Sequence, residues 1–223
     1  MASALHFGCR IVQTPDGHLF LALGERYTRK EDAQRLDNHL GKVLRLTRDG
    51  APAPGNPFMG RAGARAEIWS YGHRNPQGAT LGPDGRLWVH EHGPQGGDEI
   101  NRPEAGRNYG WPVITYGEQY GGGPIGEGIA TRPGMEQPLH HWTPSIAPSG
   151  MAFVTSDRYP GWKGSLLLGA LRSQVLVRLT LDGRKVVAQE QLLANLRARI
   201  RDVREGPDGW IYLLTDGVEG QII

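Results

Sequence analysis

Long apolar runs are missing from this 223-residue chain. The longest, Leu166–Leu171, is broken by Gly169, whereas a membrane-spanning helix needs about 20 consecutive apolar residues. No membrane span is expected. Cysteine is nearly absent: Cys9 alone excludes an intrachain disulfide, and with it a disulfide-framed secreted scaffold, without fixing the compartment. Charge of one sign is lacking too. The 25 Lys and Arg against 23 Asp and Glu leave a net charge of +2, without the basic excess of a polyanion binder, so nucleic acid is not an expected partner. Met1–His6 has no basic segment followed by an apolar one, and no signal peptide is read there. Helical periodicity is scarce, and only Arg29–Leu40 reads as a short, charged helix.

What the chain has in excess is turn residues. Gly 33 and Pro 16 point to a turn-rich, helix-poor fold without reaching a low-complexity composition. The turns recur. Pro-Asp-Gly stands at 15–17, 83–85 and 207–209, each time before a short β-prone run: HLFLAL, RLWVHE and WIYLLT. Proline presets φ, aspartate bonds its own backbone and glycine takes φ > 0, which together make a hairpin turn. The spacings are 68 and 124 residues, the second being twice 62, so a degenerate copy is expected near 147–171; PSGMAF and SLLLGAL supply it. The related RLTRDG (45–50) and RLTLDG (178–183) read as outer strands of the same unit. Short strands repeating every 60–70 residues predict the antiparallel blades of a β-propeller. About 3.5 periods fit, hence roughly four blades of a larger, incomplete ring, with 1–223 as a single domain whose N-terminal blades are not in this chain. A sandwich with recurring hairpins is the competing architecture.

Superposing the repeats brings polar residues of four blades to one end of the channel. His6 and Glu25 flank the first hairpin, where a carboxylate can fix the imidazole tautomer and raise its basicity. Arg197, Arg199 and Arg201 lie two apart, on one face of a strand. With Arg172 they offer an anion cradle, or else a charged edge strand. HEHGPQGGDEIN (90–101) is the densest polar stretch. It offers carboxylate and carbonyl oxygens to a hard cation, or His90 and His92 to zinc or copper, without a third ligand at a clear spacing. No Gly-Lys-Ser/Thr makes it a phosphate loop.

The stretches HFGCRIV, GKVLRL, NPF, AEIWSYGHRNPQG, GDEIN, NYGWP and RIRDVREGPDG occur in this order. In them the chain resembles, along nearly its whole length, the soluble aldose sugar dehydrogenases that use pyrroloquinoline quinone (PQQ), relatives of soluble glucose dehydrogenase grouped with sorbosone dehydrogenases. The resemblance implies a six-bladed all-β propeller and oxidation of an aldose at C1 to a lactone, with electrons passed to an unknown acceptor. His6 corresponds to the family's catalytic base and Glu25 to the carboxylate orienting it. Arg74 and Asn75 match the pair over the reactive quinone carbonyl. Tyr120, Ala170, Leu171 and Arg172 match cofactor contacts, the last often Lys in the family. Arg199 and Arg201 match a clamp on the cofactor's carboxylates. Gly93 and Pro94 match carbonyls that hold a cofactor-bridging calcium, and Glu99 and Tyr109 match a calcium site of the aldose branch. The family is about 340–450 residues long and typically periplasmic or secreted, and one of its cofactor-contacting glutamines has no counterpart here. Cys9 stands where the family has glycine. Two other readings stay open: a non-catalytic propeller fragment that binds sugar or a protein partner, and a propeller lactonase with one channel calcium.

Overall fold

The computed structural model describes residues 3–223. Fourteen strands follow one another as antiparallel meanders. The first blade is β1 (Cys9–Gln13), β2 (Leu19–Leu23), β3 (Lys42–Leu46) and β4 (Ile68–Tyr71). The second is β5 (Pro76–Leu81), β6 (Leu87–Glu91), β7 (Asp98–Asn101) and β8 (His140–Trp142). The third is β9 (Pro148–Phe153), β10 (Leu166–Ala170), β11 (Leu176–Asp182) and β12 (Lys185–Leu192), and β13 (Ile200–Glu205) pairs with β14 (Ile211–Thr215). Three complete blades and two strands of a fourth thus form an open arc, not a closed ring. The inner strands β1, β5, β9 and β13 stand side by side along the channel.

All three Pro-Asp-Gly copies fold alike. Gly17, Gly85 and Gly209 take φ of +85, +72 and +79°, and their N–H groups bond Thr14, Gly82 and Gly206 O at 2.9 Å each. The side chains of Asp16, Asp84 and Asp208 accept the N–H two residues on, the Asx geometry that makes this tripeptide a hairpin turn. The degenerate third copy closes its hairpin through a longer loop, with Val154 N–H on Ser165 O at 2.9 Å.

Apolar residues sit between blades. Phe20, Ala22 and Val43 pack on Ala79, Leu87 and Val89, and Trp88, Ile100 and Trp142 pack on Met151, Phe153, Leu166 and Leu168. Along β10 the alternation of a strand divides the side chains: Leu166 and Leu168 face the second blade, while Leu167 joins Ile200, Val203 and Leu213. A strand covered on both sides reads as the unbroken Leu-Leu-Leu run rather than as an amphipathic stripe.

The helix expected over Arg29–Leu40 is confined to a 3-10 turn, Lys30–Gln34. The buried Lys42 ends it, because its ammonium bonds Asp32 O (2.9 Å), Ala33 O (3.0 Å) and Leu40 O (2.5 Å) and so consumes the carbonyls that another turn would use. Across the channel, Arg10 of β1 donates from Nε to Gln77 O at 2.7 Å and reaches Asp202 of β13 at 3.6 Å.

Candidate active site

At one end of the channel lies a cleft of ≈ 940 Å³, lined by His6 and Tyr27 of the first blade, Arg74, Asn75, His92, Gly93 and Pro94 of the second, Tyr120, and Ser145, Ala147 and Arg172 of the third. His6 sits three residues before β1 and Glu25 two after β2, so the hairpin brings them together. The His6 Nδ1 to Glu25 Oε1 distance is 3.0 Å. Glu25 is fully buried and its other oxygen accepts the Tyr27 N–H. An ionised carboxylate only accepts, so Nδ1 carries the proton and Nε2 keeps a lone pair. The Tyr27 ring stands edge-on to the imidazole at 5.1 Å. His6, Arg26 and Tyr27 all adopt the left-handed backbone, at φ 58, 69 and 58°. Three such non-glycine residues around one imidazole place local strain where a functional group is held. The Arg26 guanidinium fixes the approach by bonding His6 O at 2.7 Å and Gly24 O at 2.8 Å.

Arg74 is 3% exposed. Its Nη1 donates to His92 O (2.9 Å) and Gly93 O (2.5 Å), its plane lies 5.0 Å from the Trp111 ring, and its Nε finds no partner. Burial is the main influence on this guanidinium and lowers its pKa, against the nearby Tyr120 and Glu25. Asn75 turns the other way and accepts the Gly8 N–H at 3.0 Å. Gly8 has no room for a side chain: a Cβ there would meet Pro76 O at 2.1 Å.

Two groups escaped sequence reasoning. His73 and Glu91 repeat the His6–Glu25 arrangement one blade on, with Nδ1 to Oε1 at 2.9 Å; the second Glu91 oxygen accepts the Arg74 N–H. This copy is buried, with Nε2 against Ser70 Oγ at 2.9 Å, so it has no free nitrogen for a substrate and instead holds the Arg74 backbone. The signal was present: both histidines lie three residues before the first strand of a blade. The second group is Asp98, which sequence reasoning covered only as part of the 90–101 stretch. It is saturated with donors: Gly93 N–H (2.9 Å) on Oδ1, and Ser145 Oγ (2.6 Å), Ile146 N–H (2.8 Å) and Ala147 N–H (3.0 Å) on Oδ2. It knots the second blade to the third under the cleft.

The zinc or copper alternative at His90 and His92 fails. His90 is buried against Gly78, His92 Nε2 meets Pro148 O at 2.7 Å, and no group of three His, Cys, Asp or Glu among the described residues is placed to hold a metal. Arg197 leaves the predicted strand, ending a second 3-10 turn at φ 49°. Arg199 and Arg201 do stand together, each bonded to Asp216 Oδ2 at 2.9 Å, but neither lines the cleft. Ala170 and Leu171 are buried, and only Arg172 of that segment reaches the cleft. Tyr120 is 64% exposed on its rim.

Glu99 and Tyr109 line a small cavity of ≈ 10 Å³ with Glu91, Gly93 and Thr115. The Tyr109 hydroxyl is turned away, donating to Arg102 O at 2.6 Å and accepting the Glu104 N–H at 3.0 Å. Burial, then the neighbouring Glu91 carboxylate, pushes Glu99 up to about 8, while burial pulls His90 down to about 3. The two oppose each other. Between pH 4.5 and 8 folded Glu99 holds a proton that the unfolded chain has released, so its contribution falls as pH rises. Folded His90 stays neutral below 6.5, where the unfolded chain protonates, so its contribution falls as pH drops. In calcium-free buffer, Glu99→Gln is expected to steepen the loss of stability from about pH 6.5 to pH 5, by about 1 kcal/mol per unit. Urea midpoints at several pH values check this, and parallel wild-type and variant curves would contradict it.

An arc of four-stranded blades with a histidine–carboxylate pair and a buried arginine at its channel end defines a β-propeller with an enzyme-like cleft. The family model described as Glucose / Sorbosone dehydrogenase matches residues 1–223, and the chain belongs to that family. It is 47% identical to the aldose sugar dehydrogenase YliI of Escherichia coli (strain K12) over 228 residues, covering 100% of this chain and 60% of that protein. The apo crystal structure of the soluble aldose sugar dehydrogenase from Escherichia coli superposes with a TM-score of 0.94 at 46% identity, over 99% of this chain and 64% of that one. The PQQ-bound aldose sugar dehydrogenase from Streptomyces coelicolor gives 0.78 at 32% identity, over 99% and 61%. The chain thus spans about three-fifths of the length of these relatives. No helix among the described residues is long and apolar enough to cross a membrane.

Proposed function

We propose that this chain carries the base and part of the cofactor site of a PQQ-dependent aldose dehydrogenase. One observation carries the reading: a cleft-lining imidazole whose Nδ1–H is committed to a buried carboxylate, leaving Nε2 as the proton acceptor. His6 Nε2 takes the proton of the aldose C1 hydroxyl as hydride leaves C1, and the lactone results. Bound quinone supplies the hydride acceptor. Glu25 stabilises the imidazolium that forms, and Arg74, aimed into a largely water-free wall, places positive charge where negative charge develops. Arg172, exposed at the cleft edge, provides a cation for a cofactor carboxylate. Arg199 and Arg201, paired with Asp216 outside the cleft lining, are assigned to the cofactor's carboxylates on the family resemblance alone. A periplasmic or secreted location belongs to the same reading and rests on the family alone.

The donor set suits an anionic, planar quinone: the cleft has Arg74 with an unpartnered Nε and Arg172 at its edge. At Gly93 and Pro94 a calcium ion would share the Gly93 carbonyl with the Arg74 guanidinium, and no step is routed through a metal there. Glu99 is the better cation ligand, since a carboxyl held protonated by burial beside Glu91 is relieved by a positive ion. Calcium at millimolar concentration is expected to raise the melting temperature of chelator-treated protein and to leave Glu99→Gln unmoved; an equal shift in both would remove Glu99 from the assignment. The function itself is tested by absorbance titration with PQQ followed by a dye-linked aldose assay. Binding with sugar-dependent dye reduction is expected. Quinone binding without turnover favours a non-catalytic role for the isolated chain, and no quinone binding defeats the proposal.

A further inference from the structure

Beside the cleft a second pocket of ≈ 280 Å³ opens between the first and second blades. Tyr27, Arg74 and Tyr120 belong to both cavities, so the two are contiguous. The side pocket adds Lys30, Gln119 and Trp111 to its walls.

Lys30, Arg74 and Trp111 offer donors only, beside Tyr27, Thr28, Gln119 and Tyr120, which both donate and accept. Arg74 Nε and Trp111 Nε1 lack hydrogen-bond partners, on residues 3% and 7% exposed. Lys30 has no ion pair among the described residues, although the adjacent Arg29 is paired with Asp32. The one carboxylate in the wall, Glu25, has both oxygens engaged, by His6 and by the Tyr27 N–H. A carboxylate accepts from several directions at once and suits the unpaired Lys30 ammonium; Arg74 Nε and Trp111 Nε1 are themselves enclosed and would join it only if the wall opened. The apolar remainder, Trp111 with Ile125 and Pro94, suits the face of a ring.

We infer that the side pocket is a subsite for a ring-borne carboxylate, and that it lets the cleft take hexuronic acids in addition to neutral aldoses. The inference rests on the aldose reading above. A uronate with its C1 hydroxyl at His6 extends past Tyr27, one of the residues shared by the two cavities, and its acid group meets Lys30. A cofactor carboxylate has the same chemistry, so the test separates the two sources.

Calorimetric titration with D-glucuronate and D-glucose, in wild type, Lys30→Ala and Lys30→Glu, with and without saturating PQQ, decides it. Glucuronate is expected to bind wild type about tenfold more tightly than glucose, as a charge-assisted pair implies. Lys30→Ala should reduce that preference and Lys30→Glu should abolish it, with glucose affinity unchanged. The preference should persist with PQQ bound. Glucose binding without any preference for glucuronate, or a preference that survives Lys30→Glu, overturns the subsite and leaves the aldose reading intact. A preference lost on adding PQQ assigns the pocket to the cofactor and overturns the uronate. Failure of both sugars to bind defeats the subsite and the aldose reading together. Circular dichroism of both variants confirms that they fold.

Discussion

His6→Ala is expected to lower aldose turnover by about 10²–10⁴-fold, the usual cost of removing a general base, while quinone binding survives. The imidazole touches the cleft through one edge only; its other nitrogen is spent on Glu25 at 3.0 Å. The loss therefore falls on proton transfer and appears in kcat. Glu25→Gln should lower turnover less, because an amide keeps one acceptor but presents its NH₂ either to the Nδ1–H or to the Tyr27 N–H. Rapid mixing of quinone-saturated variants with aldose measures the step directly. Should His6→Ala turn over at the wild-type rate when its quinone site is full, Nε2 is not the proton acceptor.

The largest effect on stability is expected at Asp98. Asp98→Ala strips the acceptor from the Gly93 and Ile146 N–H groups and the Ser145 hydroxyl, and leaves the Ala147 N–H with Ser145 Oγ alone, in a place with no solvent to replace it, since Asp98 is 0% exposed. Each orphaned donor costs about 1–3 kcal/mol, and partial relaxation brings the sum to about 3–5 kcal/mol. For a chain of this length that is a fall in melting temperature of roughly 10 °C. Asp98→Asn should recover only part, because its NH₂ must face donors on one side. Ala147, which lines the cleft at φ 52°, hangs from this carboxylate, so quinone affinity should fall along with stability. Urea unfolding of the two variants measures the cost; a change below about 1 kcal/mol would show that the knot carries no such weight.

The propeller was legible because its turn chemistry is local. Pro15-Asp16-Gly17 and its two copies each carry a complete hairpin instruction, and the structure obeys all three in the same way. The His6–Glu25 pair was legible for the same reason, since one hairpin joins its members. What was not legible depends on side-chain contacts that the local pattern does not encode. Asp98 resembles a cation ligand in sequence, and its partners at 145–147 lie nearly fifty residues away, positioned only by packing. The expected helix at 29–40 stops after one turn because Lys42, at the start of the next strand, captures its carbonyls. Arg199 and Arg201 were read as an anion cradle, and their shared bond to Asp216, just after the next strand, has no counterpart in that reading.

The two-sided β10 has a consequence for how the arc comes apart. Leu167 and Leu168 are adjacent in sequence yet report on different walls, one toward β13 and one toward the second blade. Apart from the Arg10–Asp202 contact across the channel, each blade therefore leans on its nearest neighbours, much as in a short one-dimensional array. In such an array the ends fray first and cooperativity is greatest in the interior. The two-stranded terminal sheet, with Trp210, Tyr212 and Leu214 each at least 40% exposed, exchanges its amide hydrogens soonest, and β10, clasped from both sides, exchanges them last.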